Sequence, residues 1–240
     1  MGKLERVNIS QQLTSIIADQ IIRDERKSGE PLYETALSRE FKVSRSPVRD
    51  ALHQLEKIRL VERAPKGVFM VANLTYEMVL CLYDSVNIFY QYAFAKAAML
   101  VTQKDLRLMN AKMVELEKSI IQKNFNQYLS NVTGLAQIIL RVAGNPFVEQ
   151  MAMELMPTAE RVQWKSINCV PDQLRIVVNH LNRGFLHIAS RNPDEAAKAF
   201  RDFSKTHIEV VLNSITGLPE MSTIPADQHF AAARQVNSLL

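Results

Sequence analysis

The segment KVSRSPVRDALHQL, residues 42–55, places two arginines, two serines and a proline directly before apolar residues with helical spacing. Those apolar residues recur as one face of a helix requires: Val48, Ala51, Leu52 and Leu55. Pro47 suits a first helical turn, and either Ser44 or Ser46 is a suitable N-cap. We therefore predict a helix that begins at this turn and buries its aliphatic face.

The polar residues of this helix suggest what its other face does. If the aliphatic face points into a core, Arg45, Ser46 and Arg49 lie on the opposite side, with the arginines one turn apart. A DNA major groove admits one α-helix, arginine can bind guanine bidentately, and serine hydroxyls reach base edges or phosphates. On an isolated helix the simpler interpretation is a solvated charged face. The flanking sequence has to decide between the two.

The flanking segments predict the remaining parts of a winged helix-turn-helix. Helical apolar spacing over residues 9–21 predicts a first helix, and residues 32–41 predict a shorter second one. Residues 60–64 and 68–71 are short and rich in β-branched side chains, and Pro65-Lys66-Gly67 separates them, which predicts a hairpin. A short helix, a tight turn, a third helix and a hairpin favour DNA binding over a plain solvated surface.

The charge distribution supports this interpretation. Residues 39–66 carry eight lysines and arginines against four acids, an excess equal to the formal net charge of +4 for the whole chain. A polyanionic partner is therefore expected at this segment. No run approaches the apolar length that a membrane span needs, and MGKLERVNIS is not a secretory signal, so we expect a cytoplasmic protein.

The two cysteines, Cys81 and Cys169, lie 88 positions apart. This spacing is neither a disulfide framework nor a pair of metal ligands. We predict that both are buried thiols without a redox role.

The pattern becomes entirely helical after about residue 74. The residues at 143–146 and 192–195, AGNP and NPDE, are typical of turns between helices. The fold class is therefore predicted as mainly α, with an N-terminal winged helix-turn-helix and a C-terminal antiparallel all-helical bundle. We assign residues 1–73 to DNA binding, 74–217 to dimerisation and effector binding, and 218–240 to a tail that includes a possible short helix.

The segment around the third helix resembles the GntR family of regulators. The family motif is approximately Val-Ser-Arg-x-Pro-Val-Arg-(Glu or Asp)-Ala-Leu-x-x-Leu, and residues 43–55 satisfy every fixed position. The resemblance extends over residues 9–71. It implies that Arg45 and Arg49 bind bases or phosphates and that Ser44 and Ser46 assist.

The same resemblance places Lys66 and Gly67, at the hairpin tip, in the minor groove. Two positions depart from the family pattern. Thr35, a further candidate DNA contact, stands where many members have an arginine, and Arg59 replaces a common glycine before the wing. Because of these departures, the family pattern does not predict the operator sequence or the angle of the wing.

The helical half resembles the FadR-like subgroup, with residues 143–147 as the best anchor, which implies a dimer with a ligand cavity inside the bundle. Many members bind a metal through an aspartate and a histidine one helical turn apart. Val132 and Ala136 stand at those positions here, and neither can ligate a metal. His180 and His187 are two turns apart, roughly 10 Å along a helix. We therefore predict no metal and no cofactor.

An organic effector remains as a candidate ligand of the bundle. The polar side chains proposed to line its site are Asn87, Tyr90, Asn179, His180, Arg183 and His207. Val86 occupies the place of an arginine that binds carboxylates in many members. A more apolar effector, or none, is therefore favoured over a small carboxylate. The simpler interpretation of the histidines is that they pack inside the bundle or at a dimer edge.

The sequence thus predicts a homodimeric, sequence-specific transcription regulator that binds a palindromic operator in double-stranded DNA. Its helical half is predicted to sense a small-molecule effector. The alternative is a ligand-independent repressor or architectural protein whose helical half only dimerises. An enzyme is not expected, since the chain has no nucleophile elbow, no HExxH and no phosphate-binding glycine loop.

Overall fold

The computed structural model of the chain describes residues 9–65, 67–169 and 174–215. The N-terminal elements are α1 (Ile9–Ile22), β1 (Pro31–Leu32), α2 (Glu34–Glu40), α3 (Arg45–Lys57), β2 (Val61–Arg63) and β3 (Phe69–Val71). Longer helices follow: α4 (Tyr76–Leu100), α5 (Gln103–Ile121), α6 (Phe125–Ala143), α7 (Pro146–Cys169), α8 (Leu174–Ala189) and α9 (Pro193–Ile215). The predicted fold class, mainly α with a winged helix-turn-helix and a helical bundle, is confirmed.

The N-terminal elements enclose one apolar core. Its members come from α1, α2, α3 and the sheet, and include Leu13, Ile17, Ile21, Leu37, Val48, Leu52, Leu55 and Val71. The helical spacing of these residues brings them to one face of each helix, and removing that apolar surface from water drives the packing. The core therefore holds α3 so that its aliphatic face is inside.

The sheet contains one strand more than the sequence predicted. Its order is β1-β3-β2, and both pairs are antiparallel. The predicted hairpin corresponds to β2 and β3. Leu32, which we placed in the second helix, instead lies on β1 opposite Phe69. A two-residue strand owes its structure to this distant partner, so local periodicity does not show it.

The bundle is organised around the long helix α4, which lies against α6, α8 and α9. Local signals set the helix ends. Thr102 and Asp105 form a capping box at the start of α5, and Gly144 ends α6 with a φ of 70°. Glycine suits this left-handed position because it has no Cβ. The predicted turns at residues 143–146 and 192–195 thus connect α6 to α7 and α8 to α9.

One prediction about the cysteines was wrong. Cys81 is an exposed free thiol on α4, because its side chain lies on the face that does not contact the other helices. The side chain of Cys169 and the tail at residues 218–240 lie outside the described residues. Among the helices described, none has the length and apolar composition to cross a bilayer.

Candidate nucleic-acid interface and bundle interior

The third helix has the two faces that its sequence predicts. Val48, Leu52 and Leu55 are fully buried, with 0% exposure. The side chains of Ser44, Arg45, Ser46 and Arg49 are all exposed. Ser44 is the N-cap residue, but its side chain makes no capping hydrogen bond. The N-terminal turn of α3 therefore presents two guanidinium groups, hydroxyls and free backbone N–H groups to solvent.

Arg49 has a partner in the free protein that the sequence reasoning missed. Its Nε and Nη2 donate to the two carboxylate oxygens of Glu34, each at 2.9 Å. This bidentate contact lowers the pKa of the Glu34 carboxyl. The Arg49 side chain is nevertheless 59% exposed. Exposed ion pairs are weak, so this pair orients Arg49 on the helix surface and can break when Arg49 contacts another group.

The other candidate DNA contacts lie around this turn and at the wing. Thr35 is exposed on α2, and Gly67 is exposed at the hairpin tip with a φ of 78° and open space where a Cβ would lie. Lys66 lies outside the described residues. Arg63 lies 4.3 Å above the ring of Phe69 and forms an ion pair with Glu56, which ties the wing to α3. The wing thus has a defined place beside α3.

The bundle interior contains unpartnered polar atoms on one face of α4. Tyr83 Oη, Asn87 Oδ1 and Tyr90 Oη are buried, and none has a hydrogen-bond partner among the described residues. Burying such groups without partners is costly. Asn87 and Tyr90 were predicted, whereas Tyr83 was missed, although the 83, 87, 90 spacing marks one helix face. These atoms are candidate contacts for a bound ligand or water.

His207 lies in the same interior. It is 7% exposed, and its ring centroid is 5.4 Å from that of Tyr83. Burial lowers the pKa of His207 to about 4, so the imidazole is neutral near neutral pH. His207 can therefore donate or accept a hydrogen bond there but offers no charge to an anionic ligand.

The predicted residues on α8 lie elsewhere. Asn179 and Arg183 are exposed, and His180 is half-buried. The structure therefore does not bring Asn179 and Arg183 together with Tyr90 and His207 inside the bundle. Within the described ranges no group of three or more histidine, cysteine, aspartate or glutamate side chains is placed to hold a metal ion.

A small cavity lies beside His207. Its volume is about 10 Å³, and its lining includes Tyr128, Gln163, Ser166 and Val177. A cavity of this size holds about one water molecule. The described interior thus has polar groups suited to a ligand, but room only for solvent at this position.

A winged helix with exposed arginines on α3, joined to an all-helical bundle, is the architecture of a class of helix-turn-helix transcription regulators. Residues 9–71 match the family described as "Bacterial regulatory proteins, gntR family", and residues 91–207 match the FCD domain. The chain belongs to the GntR family and carries the all-helical FCD domain of its FadR-like subgroup. The predicted family is confirmed, and the proteins of this family are transcription regulators, not enzymes.

Individual relatives agree with this assignment. The chain is 32% identical over 94 residues to a Bacillus subtilis protein described as an uncharacterized HTH-type transcriptional regulator, YdhC. That match spans 39% of this chain and 42% of the relative, which is less than half of each. The shared region is therefore too short to transfer any activity of that protein.

Solved structures share the fold at low sequence identity. Escherichia coli McbR/YncC superimposes with a TM-score of 0.74 at 16% identity, covering 85% of this chain and 97% of that one. A structure described as "a putative transcriptional regulator GntR from Rhodococcus sp. RHA1" superimposes with a TM-score of 0.69 at 18% identity, covering 85% of this chain and 97% of that one. Lar of Listeria monocytogenes gives 0.61 at 20% identity, with coverages of 88% and 99%. At these identities the likeness concerns the fold alone.

Proposed function

We propose that the chain is a homodimeric transcription regulator that reads a palindromic operator with the N-terminal turn of α3. The observation that carries this proposal is the exposure of Arg45 and Arg49 opposite a fully buried aliphatic face. Arg45 makes no hydrogen bond or ion pair with the described part of the chain and acts on Glu34 only through its charge, so its exposed guanidinium is available for DNA. Thr35, Ser44, Ser46, Lys66 and Gly67 are proposed as flanking contacts. Such a regulator acts in the cytoplasm, where the DNA is.

Binding assays with matched arginine variants test this proposal. We expect Arg45→Ala and Arg49→Ala each to weaken binding to a selected operator by about ten- to a hundred-fold, since each removes one base or phosphate contact. Arg107→Ala removes the same charge from an exposed position on α5 and is the control. Fluorescence anisotropy at a fixed salt concentration measures the operator affinity of all three variants. Equal affinities of the two α3 variants and the control would contradict the assignment.

The proposed dimer uses apolar side chains that the single chain leaves in solvent. Ile88 on α4 is 67% exposed, and Phe147 and Met151 on α7 are 77% and 55% exposed. A hydrogen bond of 3.3 Å from Asn145 Nδ2 to Tyr92 Oη joins the start of α7 to this face of α4. Large exposed apolar side chains on adjoining helices are typical of a subunit interface.

Two-fold pairing on this face would present two copies of α3 to two half-sites. Phe147→Glu is expected to shift the protein to a monomer in size-exclusion chromatography with light scattering and to weaken operator binding. Lys104→Glu also introduces a negative charge at an exposed site, on α5, and is the control. A dimer that survives Phe147→Glu would show that the interface lies elsewhere.

The proposed effector site is the α4 face that carries Asn87 and Tyr90, near His207. Their buried polar groups are uncharged, which favours a neutral ligand with hydrogen-bonding groups over a small carboxylate. Binding acts on DNA affinity only if the ligand prefers one arrangement of the recognition helices. His180, and the exposed Asn179 and Arg183, are weaker candidates for ligand contacts.

The ligand-independent alternative has one observation in its favour. The cavity beside His207 holds about one water, so the bundle has no room there for a metabolite without rearrangement. A thermal-shift screen of neutral metabolites against wild type and Tyr90→Phe separates the two hypotheses. A compound that raises Tm and changes operator affinity in wild type, but acts less on the variant, supports sensing. A screen in which no compound does so supports a repressor whose helical half only dimerises.

A further inference from the structure

Several side chains of α7 hold the winged helix on the bundle: Lys165 forms an ion pair with Asp24 at 4.0 Å, and Arg23 lies 5.5 Å from the ring centroid of Trp164. Two more, Arg161 and Thr158, form hydrogen bonds with it. Arg161 donates from Nη1 to the Ala72 carbonyl oxygen at 2.7 Å and from Nη2 to Ser28 Oγ at 3.0 Å. Thr158 donates from Oγ1 to the Ile58 carbonyl oxygen at 3.0 Å. Residues 158 and 161 are three apart, so they lie on the same face of α7. The hydrogen bonds of these two residues thus reach the N-terminal unit at three places.

These three places belong to three different parts of the winged helix. Ser28 lies between α1 and β1, Ile58 is the C-cap residue of α3, and Ala72 directly follows β3. The helices and strands on either side of them share one apolar core, so they form one packed unit. Contacts to three separate elements restrict rotations that one contact would leave free. The contact at Ile58 acts on the recognition helix itself.

Arg161 is an unusual residue for such a position. It is 1% exposed, and its Nε has no hydrogen-bond partner among the described residues. Its partners are a carbonyl and a hydroxyl, and in the part of the chain described no carboxylate lies within ion-pairing distance of it. Burial lowers its pKa to about 10, while Asp24 and Glu62 oppose this effect from a greater distance. The side chain therefore remains charged near neutral pH.

A buried cation of this kind contributes little net stability, because its desolvation cost offsets its hydrogen bonds. Its two hydrogen bonds do have a strict geometry, since the guanidinium is a planar group with fixed N–H directions. Because of that geometry, the two hydrogen bonds fix the angle between the winged helix and the bundle. Arg161 thus contributes orientation more than stability.

The residues next to Arg161 on α7 face the bundle interior. Gln163, Ser166 and Ile167 line the small cavity together with His207. The same helix therefore touches the cavity with one face and the winged helix with the other. Helix α7 thus connects the cavity to the contacts at Ile58 and Ala72.

We propose that Arg161 and Thr158 are positioning residues that set the angle of the recognition helix α3 relative to the bundle. In a dimer this angle fixes the distance and direction between the two copies of α3, and so selects operators with matching half-site spacing. The consequence for operator choice rests on the proposed DNA-binding function. The orientation of the winged helix on the bundle does not rest on that function, and it can be measured without DNA.

Pulsed electron paramagnetic resonance on the full-length protein measures the orientation. One spin label is placed on Cys81, which is exposed on α4, and a second on Gln11→Cys, which is exposed on α1, in a Cys169→Ser background. Labelled chains are diluted with unlabelled ones so that distances within one chain dominate. Arg161→Met and Thr158→Val are compared with the parent protein, and Arg201→Met, at an exposed site on α9, is the control.

We expect both α7 variants to broaden or shift the distance distribution and the control to leave it unchanged. Operator affinity is expected to fall about ten-fold in Arg161→Met, because the two recognition helices are no longer held in advance at the required spacing. Affinity for a single half-site should change much less, which a general loss of folding would not produce. Thr158→Val removes only a hydroxyl group and decides the question if Arg161→Met fails to fold.

An unchanged distance distribution in both variants would overturn the proposal. So would a broadened distribution with full operator affinity, since the angle would then have no part in operator choice. If the parent protein binds no operator, the proposed function fails, while the distance measurement still shows whether Arg161 and Thr158 hold the winged helix.

Discussion

Replacing Glu34 by glutamine tests whether Arg49 leaves its ion pair to bind DNA. In the free protein both carboxylate oxygens of Glu34 accept hydrogen bonds from Arg49, at 2.9 Å each. The Arg49 side chain is 59% exposed and that of Glu34 is 24% exposed. Water and salt screen a pair with this exposure, so the contact makes a small contribution to folding. A bidentate contact between arginine and guanine in a groove is stronger.

Release of Arg49 sets the direction and size of the expected effect. In Glu34→Gln no ion pair has to break before Arg49 reaches the DNA, and one negative charge near the phosphates is removed. Operator affinity is therefore expected to rise, by up to about five-fold for an exposed pair. The salt dependence of binding should become steeper by about one counterion, since one more cation is available to the phosphates.

Glu40→Gln is the matched control for this experiment. Glu40 also lies on α2 and also accepts from an arginine, Arg26, at 2.7 Å, but neither residue is a proposed DNA contact. Anisotropy titrations of both variants at several salt concentrations, with and without Arg49→Ala, separate the effect of released Arg49 from that of charge alone. A loss of affinity in Glu34→Gln alone would refute the reasoning, because it would mean that Glu34 holds Arg49 in its binding position.

Two further predictions concern the bundle. Because the folded pKa of His207 is about 4 and the unfolded value is near 6.5, the unfolded chain takes up the proton first as pH falls, and stability is lost between these values. Urea unfolding should show wild type losing about 2 kcal/mol more than His207→Gln between about pH 7 and about pH 5, and equal losses would contradict a buried neutral imidazole. A Cβ at Gly184 would lie 2.5 Å from Phe94 Cε1, so Gly184→Ala should cost about 1 to 3 kcal/mol. Gly134→Ala, which meets only a flexible lysine side chain, should be neutral or stabilising by up to about 1 kcal/mol, and equal costs at both glycines would contradict the packing of α4 on α8.

The missed features of the fold share a physical cause. β1 exists because Leu32 pairs with Phe69. Helix α4 is long and apolar around much of its surface, so its sequence does not show that Cys81 lies on an exposed face. Both outcomes depend on contacts between residues far apart in the chain. A pattern read over a few turns holds no information about them.

The sequence by itself determined the elements whose cause is local. Apolar residues at helical spacing specify which face of α3 is buried, and Ser44 before the helix and Pro47 in its first turn mark where it begins, so the exposure of Arg45 and Arg49 followed directly. Only the tertiary structure decided that Arg49 lies against Glu34, fifteen residues away, and that Arg161 is buried beneath the winged helix. A charged side chain is expected at the surface, and its burial depends on acceptors that other segments supply when the chain has folded.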